Sequence, residues 1–390
     1  MDKNTNKLIL SVGAGYTQYP FIEALKKRGY RIAAFGRGRN DLRAIQLCDY
    51  FKEIDTSDID SAIDWIKSLP EPINAVGSFS GGVAITTMQK IVKEFGLPTE
   101  IGRELMVGMN KFEQQALYEK YNLSTIKSYT VSQFHDNIAS IESGKDYIVK
   151  PSVGRGSSGV KSITSEKLIE QIKNEQLDKH DIIQELRRGK EYRILAMIQE
   201  KEIKLLAPIL RDSLKGTFLL GRLSYDDIHL QYIDQYLNDL VNVLQLKDTL
   251  IKADILVSES SIDMIEMDIG VGGGIYYKNY ISKLFEYDLI NEYINLILSE
   301  KVQSKVVVNK GIVMDYVYNQ EGVANYNLEY CKKVLSEYIG EVEIIPNLLK
   351  PKNIAKYNNN SDFAFCVIHN NKNIDNYQLN VYVNRYLFER

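Results

Sequence analysis

The chain has 390 residues, of which 44% are hydrophobic and 25% charged, and a formal net charge of -3. That composition fits two or three soluble globular domains and offers no basic field for a nucleic acid. Three distant cysteines, four histidines without HxH or HxxxH spacing and no apolar run of membrane-spanning length argue against a disulfide framework, a zinc site and a membrane span, so a reducing cytoplasm and an oxygen-held metal, if any, are expected.

Residues 7 to 98 alternate β-prone runs (8–12, 31–35, 50–54, 73–79) with helical patterns (19–28, 41–48, 58–69, 83–95). This predicts a parallel α/β domain, assigned to residues 1–106. Gly13-Ala14-Gly15-Tyr16-Thr17-Gln18 follows the first strand as a dinucleotide loop would, but Gln18 stands where a third glycine belongs and the second strand ends at Gly36-Arg37 without a ribose-binding acid.

Residues 107–186 read as a small α+β unit: a helix at 110–121, strands at 126–131, 147–151 and 160–163, and a helix opening at Ser165. Lys150 is followed by a loop carrying Gly154, Gly156 and Gly159 with Ser152, Ser157 and Ser158. The glycines let backbone N–H groups turn inward, the serines add donors and Lys150 adds a positive charge, which suits a nucleotide triphosphate. A flexible surface hairpin is the other reading of the same residues.

The segment 187–304 begins at Arg187-Arg188-Gly189 and runs into strands at 192–198 and 203–210, a helix at 228–246, a hairpin of strands 250–257 and 262–269, and a helix at 281–298. The tail, 305–390, reads as further strands and one helix near 328–338. Glu266 and Asp268 are two apart on a strand and share a face, which Asp254 on the partner strand can reach. Three facing carboxylates call for a hard cation such as Mg²⁺ with phosphate oxygens, although a solvated acidic strand face has the same spacing. Gln184-Glu185-Leu186 offers a strand edge for adenine and Glu191 an acid for ribose hydroxyls, or the segment is an ordinary charged turn. No Ser/His/Asp or Cys/His arrangement for a protein nucleophile is found.

In chain order, Asn110-Lys111-Phe112, Ile148-Val149-Lys150-Pro151 with its glycine loop, Gln184 to Glu191, Asp254, and Glu266-Met267-Asp268 resemble the ATP-grasp superfamily, in particular its carboxylate–amine ligases. The resemblance covers residues 7 to 300 or so. It implies an ATP-grasp fold of α/β and α+β parts, with an N-terminal pre-ATP-grasp domain and, by a looser match, a C-terminal subdomain. It also implies ATP and Mg²⁺, or Mn²⁺ in its place. Lys111, Lys150, Gly154, Gly156, Ser157 and Ser158 would then lie on phosphates, Gln184, Glu185 and Leu186 beside adenine, Glu191 on the ribose, and Asp254, Glu266 and Asp268 on the metal. Lys252 sits where many members carry an arginine that steadies the transferred phosphoryl group.

Two positions depart from the pattern: Asp268 replaces the usual Asn, and Gly270 stands where an arginine often anchors a carboxylate or acyl phosphate. Arg193, Arg211 and Arg222 are the candidates to replace that arginine. The activity implied is an ATP-dependent ligase joining a small-molecule carboxylate to an amine through an acyl phosphate, releasing ADP and phosphate. A kinase that stops after phosphoryl transfer and a non-catalytic nucleotide-binding protein are the alternatives. Neither nucleic acid nor membrane is expected as a partner, and a homodimer is left open.

Overall fold

Alternate residues of the first strand enter two separate apolar clusters, the mark of a sheet buried on both faces. In the computed structural model, β1 (Leu8–Val12), β2 (Arg31–Phe35), β3 (Tyr50–Lys52) and β4 (Ile73–Gly77) form a parallel sheet in the order β3-β2-β1-β4. Ile9 packs with Phe21 and Ala44 of α1 (Tyr19–Lys27) and α2 (Leu42–Leu47), while Leu8 and Leu10 pack with Ala62 and Ile91 of α3 (Ile59–Lys67) and α4 (Val83–Phe95). The structure describes residues 6–38, 40–81, 83–98, 110–135, 138, 141–152, 157–270, 274–304, 308–319, 326–347 and 362–388. Gly154 and Gly156 of the glycine loop lie outside them.

After α5 (Lys111–Lys120) comes a small antiparallel sheet, ordered β5-β8-β6-β7, of β5 (Ser128–Thr130), β6 (Asp146–Lys150), β7 (Lys161–Thr164) and β8 (Ile182–Glu185). Its apolar cluster joins Val149 and Ile183 to Phe134 of α6 (Val131–His135) and to Leu168 and Ile172 of α7 (Ser165–Lys173).

The large sheet is antiparallel and has eight strands in the order β13-β12-β9-β10-β11-β14-β16-β15. These are β9 (Lys190–Gln199), β10 (Glu202–Ser213), β11 (Leu220–Tyr225), β12 (Thr249–Val257), β13 (Ile262–Ile269), β14 (Val313–Val317), β15 (Val342–Pro346) and β16 (Phe365–His369). α8 (Leu230–Val243) sets Ile233, Leu237 and Leu240 against Ile194 and Ala253.

Several elements differ from the expectation, among them a short helix, α6, where the strand expected at 126–131 was to end. β11 was not anticipated, since Leu-Gly-Arg-Leu-Ser-Tyr is short and interrupted by Gly221; through it the tail strands extend the large sheet. The single helix expected at 281–298 is broken into α9 (Gly274–Phe285) and α10 (Leu289–Ile297), because Glu286 adopts φ 51° and Asp288 caps α10 by accepting from the Asn291 amide. The tail holds a second helix besides α11 (Leu328–Ile339): α12 (Asn376–Val383), opened by a capping box between Asp375 and Gln378.

The end of β13 meets the loop after β4. Gly270 has φ 89°, and a Cβ there would lie 2.7 Å from the Ser80 carbonyl oxygen. Both the backbone angle and the close approach require glycine, which explains why no arginine side chain stands at this position. No helix of the described residues is long and apolar enough to cross a membrane.

Candidate active site

The acidic hairpin folds in the register its alternation suggests: Asp254 pairs with Glu266 and Lys252 with Asp268. On the other side of β12, Asp254 pairs with Arg193 of β9. Residues directly opposite in an antiparallel ladder share a face, so one sheet surface carries Arg193, Lys252, Asp254, Glu266 and Asp268. The Arg193 guanidinium donates through Nε and Nη2 to the two oxygens of Asp254, at 2.8 and 2.9 Å. The Lys252 ammonium lies 3.3 Å from Glu266, 3.7 Å from Asp254 and 3.9 Å from Asp268. Burial alone would raise the Asp254 pKa, but Arg193 and Lys252 outweigh it and hold the carboxyl below the usual range. Burial likewise opposes the charge on Lys252, and Asp254 and Glu266 override it, so its pKa is raised.

Asp254 and Lys252 are buried, whereas the side chains of Glu266 and Asp268 are 37% and 42% exposed. Among the described residues no group of three or more His, Cys, Asp and Glu side chains has the spacing of a metal cage. Glu266 and Asp268 nonetheless fit Mg²⁺, which takes one or two carboxylates and completes its shell with water and substrate phosphate oxygens.

Lys150 ends β6 and is 7% exposed, yet its ammonium has no ion pair or hydrogen bond among the described residues. Burial and then the Lys111 charge pull its pKa down to about 8, with Glu266 acting in the opposite sense. Lys111 opens α5, whose N-terminus is capped by the Asn110 side chain, and its amide donates 3.0 Å to the Ser152 carbonyl at the root of the glycine loop. Lys111 is thereby brought near Lys150, which in turn lies near Glu266. Ser157, Ser158 and Gly159 form the loop's described turn, with φ of 59° at Ser157 and 73° at Gly159.

The other expected positions are less uniform. Gln184 donates 2.6 Å to the Ser128 hydroxyl, Glu185 pairs with Lys145 at 3.2 Å, and the Leu186 amide donates 2.9 Å to the Asp146 carbonyl. These bonds fasten the end of β8 to β5 and β6. Glu191 accepts from Arg211 at 2.7 Å; burial pushes its pKa up, Arg211 opposing and Asp254 adding to the rise. Arg211 also donates to the Phe218 carbonyl at 2.7 Å, fixing the turn between β10 and β11. Arg222 faces away from this site: it grips Asp315 at 2.8 and 2.7 Å, and His369 meets the same carboxylate at 2.7 Å.

Gln114 and Gln115 were not singled out from the sequence. Their amides donate to Met267 O at 3.2 Å and Ile265 O at 2.8 Å, clamping α5 to the acidic strand. A Gln-Gln pair on a helix carries no signal of such a role. The loop after β1 is fastened through Gln18, which accepts from the Gly15 amide at 3.1 Å and donates to Phe79 O, beyond β4, at 3.4 Å.

No family model matches the chain and no curated protein matches it. Solved structures match along almost its whole length. The L-amino acid ligase from Bacillus licheniformis is 14% identical, with 99% of this chain and 98% of that one covered and a TM-score of 0.73. The N5-carboxyaminoimidazole synthetase from Staphylococcus aureus, complexed with ADP, is 11% identical, with 98% and 97% covered and a TM-score of 0.73. The phosphoribosylglycinamide synthetase from Anaerococcus prevotii is 16% identical, with 93% of each chain covered and a TM-score of 0.69. With its parallel N-terminal sheet, small antiparallel lobe and large antiparallel sheet in the same arrangement, the chain has the ATP-grasp fold of these synthetases and ligases.

Proposed function

We propose that the protein is an ATP-dependent carboxylate–amine ligase that works through an acyl phosphate. The observation that carries this reading is the buried Lys150 ammonium, which has no ion pair or hydrogen bond among the described residues and lies near Lys111 and Glu266. A lone buried cation is costly, and a polyphosphate between the two lysines and the acidic face relieves it. Full-length likeness to synthetases and ligases, one of them complexed with ADP, adds support.

In this account Lys111 and Lys150 hold the phosphates, Glu191 meets the ribose, and the end of β8 borders the adenine. Glu266 and Asp268 would hold Mg²⁺, which supplies charge neutralisation at the phosphate oxygens. An oxygen of the substrate carboxylate attacks the γ-phosphorus, the bond to the β–γ bridging oxygen breaks, and ADP leaves. The amine then attacks the acyl carbon, phosphate departs with the former carboxylate oxygen, and the amine loses a proton. The chain's part is to position the reactants, offset charge with Lys111, Lys150 and Lys252, and cover the site with the glycine loop. No side-chain nucleophile takes part. The test is ADP and phosphate release over a panel of small carboxylates and amines, with mass detection of the amide. A carboxylate that releases ADP without ever yielding an amide would make the protein a kinase instead.

A further inference from the structure

We propose that Gln115 is a positioning residue: it pins a bulge in β13 that sets Glu266 on the face of Lys252 and Asp254, and it does so from the helix that carries Lys111. This rests on the nucleotide reading above and on the metal role it gives to Glu266.

β12 and β13 pair in step from Ile251 with Ile269 to Asp254 with Glu266, but Ile255 then pairs with Met264, so Ile265 is an extra residue. A bulge of this kind bends the strand and re-aims the side chains beside it. Its effect is visible in the packing. Met264 and Met267 are three apart, which in a regular strand means opposite faces, yet both enter the apolar cluster of Ile251 and Ala253. Glu266 and Asp268 are left on the other face, opposite Asp254 and Lys252.

β13 is the edge strand of the large sheet, so no further strand holds the bulge from outside. α5 does this instead. Gln115 Nε2 donates 2.8 Å to the carbonyl of Ile265, the extra residue itself, and the Met264 amide donates 3.0 Å to the Leu123 carbonyl just beyond the helix. Gln114 holds the Met267 carbonyl, on the far side of Glu266, at 3.2 Å. Lys111 stands one turn earlier on the same helix, so one rigid element sets both a phosphate lysine and the carboxylate that would hold the metal. Stability alone does not account for Gln115. Its side chain is buried and its Oε1 has no hydrogen-bond partner among the described residues. Methionine in its place would trade one unpaired acceptor, Oε1, for another, the Ile265 carbonyl, with little net change. What it would lose is the pin on the bulge.

Three measurements separate these roles without turnover: the urea midpoint, calorimetric binding of a β,γ-methylene analogue of ATP in EDTA, and Mn²⁺ affinity of the analogue complex by electron paramagnetic resonance. Gln115→Met is expected to keep the first two and to weaken Mn²⁺ on the order of tenfold, as loss of a group that orients a metal ligand does. Gln114→Met leaves the bulge pinned and should weaken it less. Unchanged Mn²⁺ affinity in Gln115→Met would overturn the inference. An equal loss of analogue affinity in EDTA would also overturn it, because the helix rather than the carboxylate would then have moved. A Gln115→Met chain that fails to fold would make Gln115 a structural residue and overturn it too. These outcomes contradict this inference alone, provided that the wild type binds both analogue and Mn²⁺. A wild type that binds the analogue without Mn²⁺ contradicts the metal role of Glu266, and one that does not bind the analogue contradicts the nucleotide reading; either takes this inference with it.

Discussion

Arg193 and Asp254 face each other in register across β9 and β12, joined by two hydrogen bonds of 2.8 and 2.9 Å in a buried setting. Removing one partner of a buried ion pair leaves the other charge uncompensated, typically at roughly 3–5 kcal/mol. Arg193→Met should therefore lower stability by about that amount, read as the urea midpoint at unchanged slope. Arg193→Met with Asp254→Leu should recover part of the loss. A single variant as stable as the wild type would mean that the pair is not held as described.

The acidic strand gives a graded expectation. Glu266→Ala should cost on the order of a hundredfold or more in turnover with the fold intact, because phosphate charge is left unbridged in the transition state. Asp268→Asn keeps a ligating oxygen and should be milder. Steady-state rates at saturating Mg²⁺, with circular dichroism as the control for folding, check both. Equal damage from the two substitutions would remove Asp268 from the metal.

The depressed pKa of Lys150, about 8 against an ordinary 10.5, sets a pH dependence. Phosphate binding needs the charged ammonium, which is half present near pH 8, nearly complete a pH unit or more below it and lost progressively above it. Affinity for the ATP analogue should be flat between pH 6 and 7 and weaken from pH 8 to 9.5, by up to about tenfold per pH unit. Lys150→Arg, which does not titrate in this range, should bind with no such decline. Calorimetric dissociation constants across pH would show it, and a flat wild-type profile would place Lys150 away from the phosphates.

Much of this architecture is legible in the sequence because short-range rules govern it. Period-2 alternation puts Glu266 and Asp268 on one face, and the β/α alternation of residues 7–98 has one simple solution. The unread parts depend on distant partners. β11 is weak alone and exists because β10 and β14 flank it. That Asp254 is turned to Arg193 follows from the register between β9 and β12, strands some 60 residues apart, which no local pattern encodes. The same holds for the Gln114 and Gln115 clamp on β13.

The turn at Ser157 to Val160, held by a Val160 amide to Ser157 carbonyl bond of 3.3 Å, should become more protected when nucleotide binds. Hydrogen exchange of residues 157–160 is expected to slow with the ATP analogue and Mg²⁺ present. Unchanged exchange at saturation would mean that the loop does not close over the nucleotide.

The acyl phosphate is tested most directly by oxygen transfer. A carboxylate selected from the substrate panel is labelled with ¹⁸O and incubated with ATP, Mg²⁺ and hydroxylamine as the amine, and the inorganic phosphate is weighed by mass spectrometry. The account predicts one ¹⁸O in the phosphate, alongside unlabelled ADP and a hydroxamate. Label in AMP with release of pyrophosphate, or hydroxamate formed with unlabelled phosphate, would contradict it.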